Sequence, residues 1–531
     1  MATTSVLTQE QPRKPEWLPL GLLAIGLVAR LAWAHSLFLN ADEALHYLLS
    51  TQPTLAATYK ATLTTAHPPL LILFLHGWSA LGTSEFVLRL PSVFAGTAFC
   101  WMMYLWLQRV VNRETALIGF CLLVFCPALI YVSSEIRQYA LLLFFCAASL
   151  YFLERALQEN CAGWMAASFV ALYLALSTHY SALIFAFTCG GYALLRFQRA
   201  RTKLAVLLVW IVGELAALGL VAFYWETQVV PLRHTRLTQS LADSYLRGSI
   251  YHPGEDRVLP FIVRTNIKVF HYLFSQGAVG VLGLILFLAG IVLLFRSRTA
   301  DAHRPSPRLL GMFLIFPFFV NCAAAIAGAY PYGGTRHNCY LAIFAMPAVA
   351  FAISHWQPSR AWLKPAAVVL GLALCNFTVL PGGVYMKPRN QRIPLMRNAI
   401  AFVQTSIPRG SILLTDLEGR LALDYYLCHN FSPIHPPLQP FYKSSCGNYE
   451  MIFQDPSRWI FRAPTFTGDM RTLQEMYGLS DGTRVWFFQA GFVVDQEPGL
   501  QALLRRDYGC SDPHQFGQNI FVCQITLGPS P

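Results

Sequence analysis

From Leu18 to Leu39 the chain runs through about 22 almost wholly apolar residues, enough for one helix to cross a bilayer, and then turns polar at Asn40-Ala41-Asp42-Glu43. Backbone polar groups in hydrocarbon must be paired within their own segment, so a run of this kind leaves helix as its form. The pattern recurs. Candidate spans are Leu18 to Leu39, Pro91 to Gln108, Thr115 to Tyr131, Tyr139 to Leu153, Trp164 to Leu176 and Ser181 to Leu195. Five more are Leu204 to Tyr224, Gly277 to Phe295, Leu309 to Ala329, Tyr340 to Ile353 and Pro365 to Leu380. The expected class is a polytopic α-helical membrane protein with about 11 transmembrane helices. With 55% of 531 residues hydrophobic and only 12% charged, the composition agrees.

The formal charge of +12 does not point to nucleic acid, because the basic residues fall in short blocks between apolar runs. One set of connections holds Arg109 and Arg113, then Arg155, then Arg196, Arg199, Arg201 and Lys203, then Arg296, Arg298, Arg304 and Arg308. The opposite short connections carry only Arg137 and Arg336. Positive loops stay cytoplasmic, so the amino terminus is expected inside and, after an odd number of spans, the carboxyl terminus outside. Arg137 and Arg336 thereby become exceptions that need a reason. The stretch His67 to Gly82 is read as a helix along the outer interface, since counting it as a span would invert the later charge bias. The hairpin Trp164 to Leu195 has arms shorter than a full crossing.

Three pieces are then expected on the outer face: residues 40–90, Trp225 to Gln276, and a terminal domain. The division is 1–381 for the membrane domain and 382–531 for a small extracytoplasmic α/β domain. Strand-like runs at Ser411 to Leu414 and Val485 to Phe488 alternate there with helix-like ones at Leu395 to Thr405 and Leu500 to Arg506. Four of the thirteen cysteines, Cys428, Cys446, Cys510 and Cys523, lie in this domain, where an oxidising compartment permits two disulfides in any of three pairings. The first apolar run lacks a small-residue cleavage site and reads as a retained anchor.

The polar groups expected at the outer face include Asp42, Glu43, His46, His67, Glu135, Arg137, Tyr139, His179, Tyr180, Arg336 and His337. A carboxylate can deprotonate a hydroxyl, and arginines hold a phosphate through paired charge-assisted bonds. That combination suits transfer from a lipid phosphate. Asp42 and Glu43 could equally open an interfacial helix, Arg137 and Arg336 could anchor at the headgroups, and His179 and Tyr180 could satisfy each other at a span end.

Read in order, Asp42-Glu43, Ala66-His67-Pro68-Pro69-Leu70, Gly82-Thr83-Ser84-Glu85-Phe86-Val87-Leu88-Arg89-Leu90-Pro91-Ser92, Ser134-Glu135-Ile136-Arg137-Gln138-Tyr139-Ala140 and Thr178-His179-Tyr180 form a series. The series resembles the membrane glycosyltransferases of the protein O-mannosyltransferase type, a group that includes the bacterial enzymes that put aminoarabinose on lipid A. The resemblance implies a GT-C fold, a polyprenyl-phosphate sugar donor, inversion at the anomeric carbon, and an acceptor hydroxyl on protein, lipid or polysaccharide. It implies Asp42 as general base and Glu43 as a positioning group. The leaving phosphate needs cationic or hydrogen-bonding stabilisation near the membrane face, for which Arg137 is the first candidate, Arg336 the second and His67 a third, with Glu135, Tyr139, His179 and Tyr180 as possible substrate contacts. His67 stands where some relatives carry lysine and supplies charge only when protonated. Relatives with pyrophosphate-linked donors carry Asp-x-Asp and a divalent cation; here the acids are adjacent, so no metal and no other cofactor is expected. The location implied is a bacterial inner membrane. A lipid-linked sugar flippase or a non-catalytic subunit of the same fold are the rival readings, although the related halves common in transporters are not visible.

Overall fold

The computed structural model describes residues 17–198, 202–233, 246–298, 304–377, 392–434, 438–491, 498–510 and 512–528. From the amino end, α1 (Trp17–Ser36) leads into three short helices, α2 (Ala41–Ser50), α3 (Leu55–Thr62) and α4 (Leu70–Trp78). Then follow α5 (Glu85–Val110), α6 (Arg113–Val124), α7 (Pro127–Val132), α8 (Tyr139–Glu159), α9 (Ala162–Leu176), α10 (Ala182–Phe197) and α11 (Leu204–Tyr224). The remaining apolar helices are Val258–Phe274, Gly277–Arg296, Pro307–Ile326, Ala342–His355 and Leu363–Phe377. Among the described residues, seven helices are long and apolar enough to cross a membrane. The expected spans at Trp164 to Leu176, Ser181 to Leu195 and Pro365 to Leu380 correspond to shorter apolar helices. The expected domain boundary at 381/382 lies outside the described residues.

Large apolar side chains such as Ile25, Val28, Leu208, Val212, Leu215, Leu282 and Phe319 stay exposed on these helices. Without a membrane such a surface would be a liability, and around a bundle it is the lipid-facing side. Inside the bundle a continuous cluster from Phe99 through Phe351 fills the space between α5, α8 and their neighbours. Close approach matters more than hydrophobicity there, because lipid tails are as apolar as leucine. A Cβ on Gly290 would collide with the carbonyl oxygen of Ala348, so glycine lets helices Gly277–Arg296 and Ala342–His355 touch backbone to backbone.

One expected span, Thr115 to Tyr131, is two helices rather than one. Pro127 has no N–H and disfavours helical backbone in the residue before it. Cys126 is accordingly extended (φ −64°, ψ 119°), and α7 restarts at Pro127. The break aims Ser133–Gln138 inward instead of along a helix. The stretch His67 to Gly82 is α4 plus a 3₁₀ turn at Ser79–Leu81; nine α-helical residues rise only about 14 Å, too little for a crossing.

The terminal part is a six-stranded sheet in the order β2-β3-β1-β4-β6-β5, with β1 (Ile412–Thr415), β2 (Phe441–Cys446), β3 (Tyr449–Gln454), β4 (Arg484–Ala490), β5 (His514–Phe516) and β6 (Ile520–Thr526). The three central strands are parallel and the outer pairings antiparallel. Period-two alternation decides the layers. Leu414, Ile452, Phe487 and Phe521 face helices Ala463–Tyr477 and Pro498–Asp507, whereas Leu413, Met451, Phe488 and Val522 face helix Ile393–Ser406. The disulfides are Cys428–Cys446 and Cys510–Cys523. This domain packs on the segment after α1 through Leu417, Leu421 and Tyr425 against Leu39, Ala44 and Leu48.

A buried acid in this domain gives a stability prediction. Asp416 is fully buried and caps helix Leu417–Leu423 by accepting from Gly419 N at 2.9 Å, with its other oxygen 3.1 Å from Gln489 Nε2. Burial outweighs these bonds and raises its pKa from 3.8 to about 7. The unfolded chain therefore ionises first, and stability falls as pH rises between those two values. Asp416→Asn keeps a good cap without the charge, so its melting temperature is expected to exceed the parent's at pH 8 and the difference to close towards pH 4 in a thermal series. A pH-independent difference would assign the effect to packing.

Candidate active site

The first turn of α2 is built on Asn40, which caps it by accepting from Glu43 N at 3.0 Å. Glu43 returns the bond from Asn40 N at 3.2 Å, completing a capping box. The same carboxylate is buried at 1% exposure and held by Arg89 through Nε and Nη2, both at 2.7 Å. Ile136 N and Asn40 Nδ2 complete its shell at 2.9 and 3.0 Å. Arg89 also donates to the carbonyl oxygens of Ala34, Leu37 and Phe38 at the end of α1. Glu43 thus ties together α1, α2, α5 and the bend after α7, and its oxygens are spent on that task.

Asp42, one residue earlier and about 100° around the helix, faces the other way. Its Oδ1 lies 3.0 Å from Arg137 Nη1 and its Oδ2 accepts from Arg336 Nη2. Burial alone would raise its pKa, but the two guanidiniums overcome that and hold the carboxyl well below the usual range. The two arginines that broke the charge pattern therefore meet at the acid, although 199 residues of sequence separate them. Both lie near the ring of Tyr139, at 5.6 and 5.9 Å from its centroid.

Histidines stand beside them. His46, on the same face of α2, places Nδ1 2.7 Å from Asp42 O. Its ring stands 5.7 Å from His67, His67 stands 5.7 Å from His179, and His179 stands 6.0 Å from His337. Tyr139 packs 5.2 Å from His179. Burial and then Arg137 push the imidazoles of His46 and His179 down to about 3, and His67 shifts the same way for the same reasons. The shifts favour the neutral imidazole in each. His179 Nδ1 accepts from Ser181 N at 3.1 Å. His46 Nε2 and His67 Nδ1 are buried without a hydrogen-bond partner among the described residues, a condition that buried polar groups rarely keep unless something else binds there.

Glu135 bonds on the Glu43 side of the site, accepting from Asn40 Nδ2 at 2.9 Å. Tyr180 lies apart from the histidines: its hydroxyl donates to Gln228 Oε1 at 3.0 Å, and its ring lines an apolar groove with Leu176, Val221 and Trp225. Arg30, the charge inside α1, donates to the carbonyls of Gly26 and Val124 at 3.0 Å and so bonds within the bundle. The four histidines stack rather than converge, and among the described residues no group of three or more His, Cys, Asp or Glu is placed to hold a metal ion.

Sequence reasoning gave no role to Arg89 or Asn40. Arg89 had a signal, an ionisable residue at the mouth of an apolar run, where a buried partner is the rule.

A bundle of this topology, with an acid after the first apolar helix facing arginines from two later connections and a sheet domain packed beside it, has the fold of the GT-C membrane glycosyltransferases. The crystal structure of ArnT from Cupriavidus metallidurans in the apo state covers 97% of this chain and 99% of its own, with a TM-score of 0.53 at 14% identity. The same protein bound to undecaprenyl phosphate gives 0.52 at 13% over the same shares. Within that fold, residues 66–225 match the family of dolichyl-phosphate-mannose-protein mannosyltransferases. No curated protein matches the chain by sequence.

Proposed function

We propose that the protein is an inverting glycosyltransferase that moves a sugar from a polyprenyl-phosphate donor to an acceptor hydroxyl at the outer membrane face. The observation that carries this reading is the pairing of Asp42 with Arg137 and Arg336, an acid and two phosphate-binding groups in one buried cluster. In the reaction the acceptor oxygen bonds to the anomeric carbon as its proton passes to Asp42. The bond from that carbon to the donor phosphate breaks on the opposite face, its electron pair leaves with the phosphate, and the configuration inverts. Arg137 and Arg336 stabilise that leaving charge, and the unpartnered His67 Nδ1 is available to donate to it; His46, whose Nδ1–H is committed to the Asp42 carbonyl, offers Nε2 as an acceptor for a substrate hydroxyl.

Ion pairing keeps Asp42 a weak base in the donor-free protein. A donor phosphate competes with the carboxylate for the same guanidiniums, and as they turn to it the basicity of Asp42 rises. Donor engagement thereby prepares the base. The supporting fold match includes a structure bound to undecaprenyl phosphate, and we take the same lipid class as donor. The proposed setting is a bacterial inner membrane, with the amino terminus cytoplasmic and residues 382–531 as a separate extracytoplasmic domain.

Arg137→Ala is expected to weaken binding of undecaprenyl phosphate by about 30-fold, which corresponds to about 2 kcal/mol for a charge-assisted contact. Competition against a fluorescent polyprenyl phosphate in detergent micelles measures it. Unchanged affinity with a lowered melting temperature would reassign Arg137 to structure.

A further inference from the structure

A cavity of about 430 Å³ lies where the segment after α1 meets the terminal domain. That is the size of a ligand site, and it sits apart from the Asp42 cluster. Asp42 and Tyr47 are five residues apart on α2, so they point to opposite sides of the helix about 7.5 Å apart along its axis. One helix divides the cavity from the Asp42 cluster.

Aromatic rings make the wall. Tyr47 and Tyr425 meet edge to face at 5.4 Å, Tyr425 and Tyr426 at 4.6 Å, and Phe431 closes one side. Their hydroxyls are already committed: Tyr425 donates to Thr83 O at 2.6 Å, and Tyr426 donates to Glu85 Oε1 at 3.1 Å. The rings are therefore fixed platforms. Around them stand the carboxylates of Glu85 and Asp424, the guanidinium of Arg397 and the hydroxyl of Thr51.

The backbone here is irregular. Asp424–Cys428 form a π-helical turn, His429 follows with φ 49°, and Cys428 is bonded to Cys446. π turns and left-handed non-glycine residues concentrate at functional sites, where surrounding structure holds them.

Asp424 is paired with Arg420 at 3.1 Å, which leaves Glu85 and Arg397 as the charges of the rim; one charge of each sign gives no net attraction for a free phosphate or a phospholipid headgroup, and a charged rim disfavours an acyl chain. Flat rings bordered by acceptors and donors fit a molecule with apolar C–H faces and a rim of hydroxyls. We propose that this cavity is a saccharide-binding subsite that holds a sugar unit of the acceptor, one helix away from the hydroxyl that reacts. Only the words "of the acceptor" rest on the transferase reading; the binding chemistry stands without it. The ligand is a glycan longer than one residue, anchored by an inner sugar while another reaches Asp42.

The test uses the full-length protein in lipid nanodiscs on a printed array of mono- to tetrasaccharides, with Thr83→Trp and Glu85→Gln as variants. Thr83 is exposed at the rim, so tryptophan there fills the opening without disturbing the core. The Glu85→Gln change keeps a carbonyl oxygen for the Tyr426 hydroxyl and removes the charge. Expected is a common set of saccharides retained by the parent and by Asp42→Asn, a loss of about tenfold or more in Thr83→Trp, and a smaller loss in Glu85→Gln. Undecaprenyl phosphate affinity stays at the parent level in both rim variants. Retention no better than empty nanodiscs, or equal retention by the parent and both variants, overturns the subsite. Saccharide binding that Thr83→Trp removes, in a protein that transfers no sugar, leaves the subsite standing and the transferase reading defeated. Transfer that Asp42→Asn abolishes, with no saccharide retained by the parent, does the reverse.

Discussion

Asp42→Asn is expected to cut sugar transfer by about a hundred- to ten-thousand-fold, the range for losing a positioned general base, while binding undecaprenyl phosphate more tightly than the parent does. The second half of that result separates this mechanism from a generic loss of function. In the donor-free protein the Asp42 carboxylate occupies both guanidiniums, and those side chains are buried to 4% and 15% exposure. Asparagine removes the carboxylate that both guanidiniums share, a costly change that an incoming phosphate offsets. The variant should therefore melt lower than the parent without ligand and recover more when undecaprenyl phosphate is added, because a ligand that binds only the folded state stabilises it. Titration followed by thermal unfolding reads both effects. Wild-type transfer by Asp42→Asn would remove Asp42 as the base, and weaker phosphate binding would show that the acid belongs to the donor site in another way.

The helical bundle was legible because the bilayer imposes a length and a chemistry that survive any tertiary arrangement: runs such as Leu204 to Tyr224 admit little else. What failed at Thr115 to Tyr131 was weight, since apolarity across the run hid the one residue, Pro127, that breaks it. In the terminal domain, alternation around Leu413 and Leu414 was enough to place a strand, but not to choose among three disulfide pairings. That choice depends on strand register, which places Cys446 opposite Tyr449 in the β2–β3 pair and brings the turn ending at Cys428 alongside. At the site, Arg137 and Arg336 could be singled out because they sit on the side of the membrane where arginine is scarce. Their meeting at Asp42 could not, for no local pattern encodes a contact across 199 residues. The histidine stack was unreadable for the same reason, since His46, His67, His179 and His337 come from four separate segments.

The adjacent acid makes the complementary case. Glu43→Ala is expected to cost about 3–5 kcal/mol of stability, the range for stripping one partner from a buried ion pair, and to lose transfer only in proportion to the protein that remains folded. Arg89 at 1% exposure would keep its charge without the carboxylate it is bonded to, and α2 would lose its capping box together with its tie to Ile136. Arg89→Met strands Glu43 in the same manner, so each single variant should be severe. Removing both charges takes away the uncompensated ion but not the lost bonds to Ala34, Leu37 and Phe38. The double variant Glu43→Leu with Arg89→Met should therefore recover part of the melting temperature and not all of it, a positive coupling that denaturation of the four proteins in a double-mutant cycle measures. Affinity for undecaprenyl phosphate per folded molecule should change little in any of them, because Arg137 and Arg336 meet the Asp42 face of the helix, whereas Arg89 on the Glu43 face is spent on Glu43 and the end of α1. A Glu43→Gln protein that melts like the parent yet transfers nothing would place Glu43 against substrate and take the anchoring role from it.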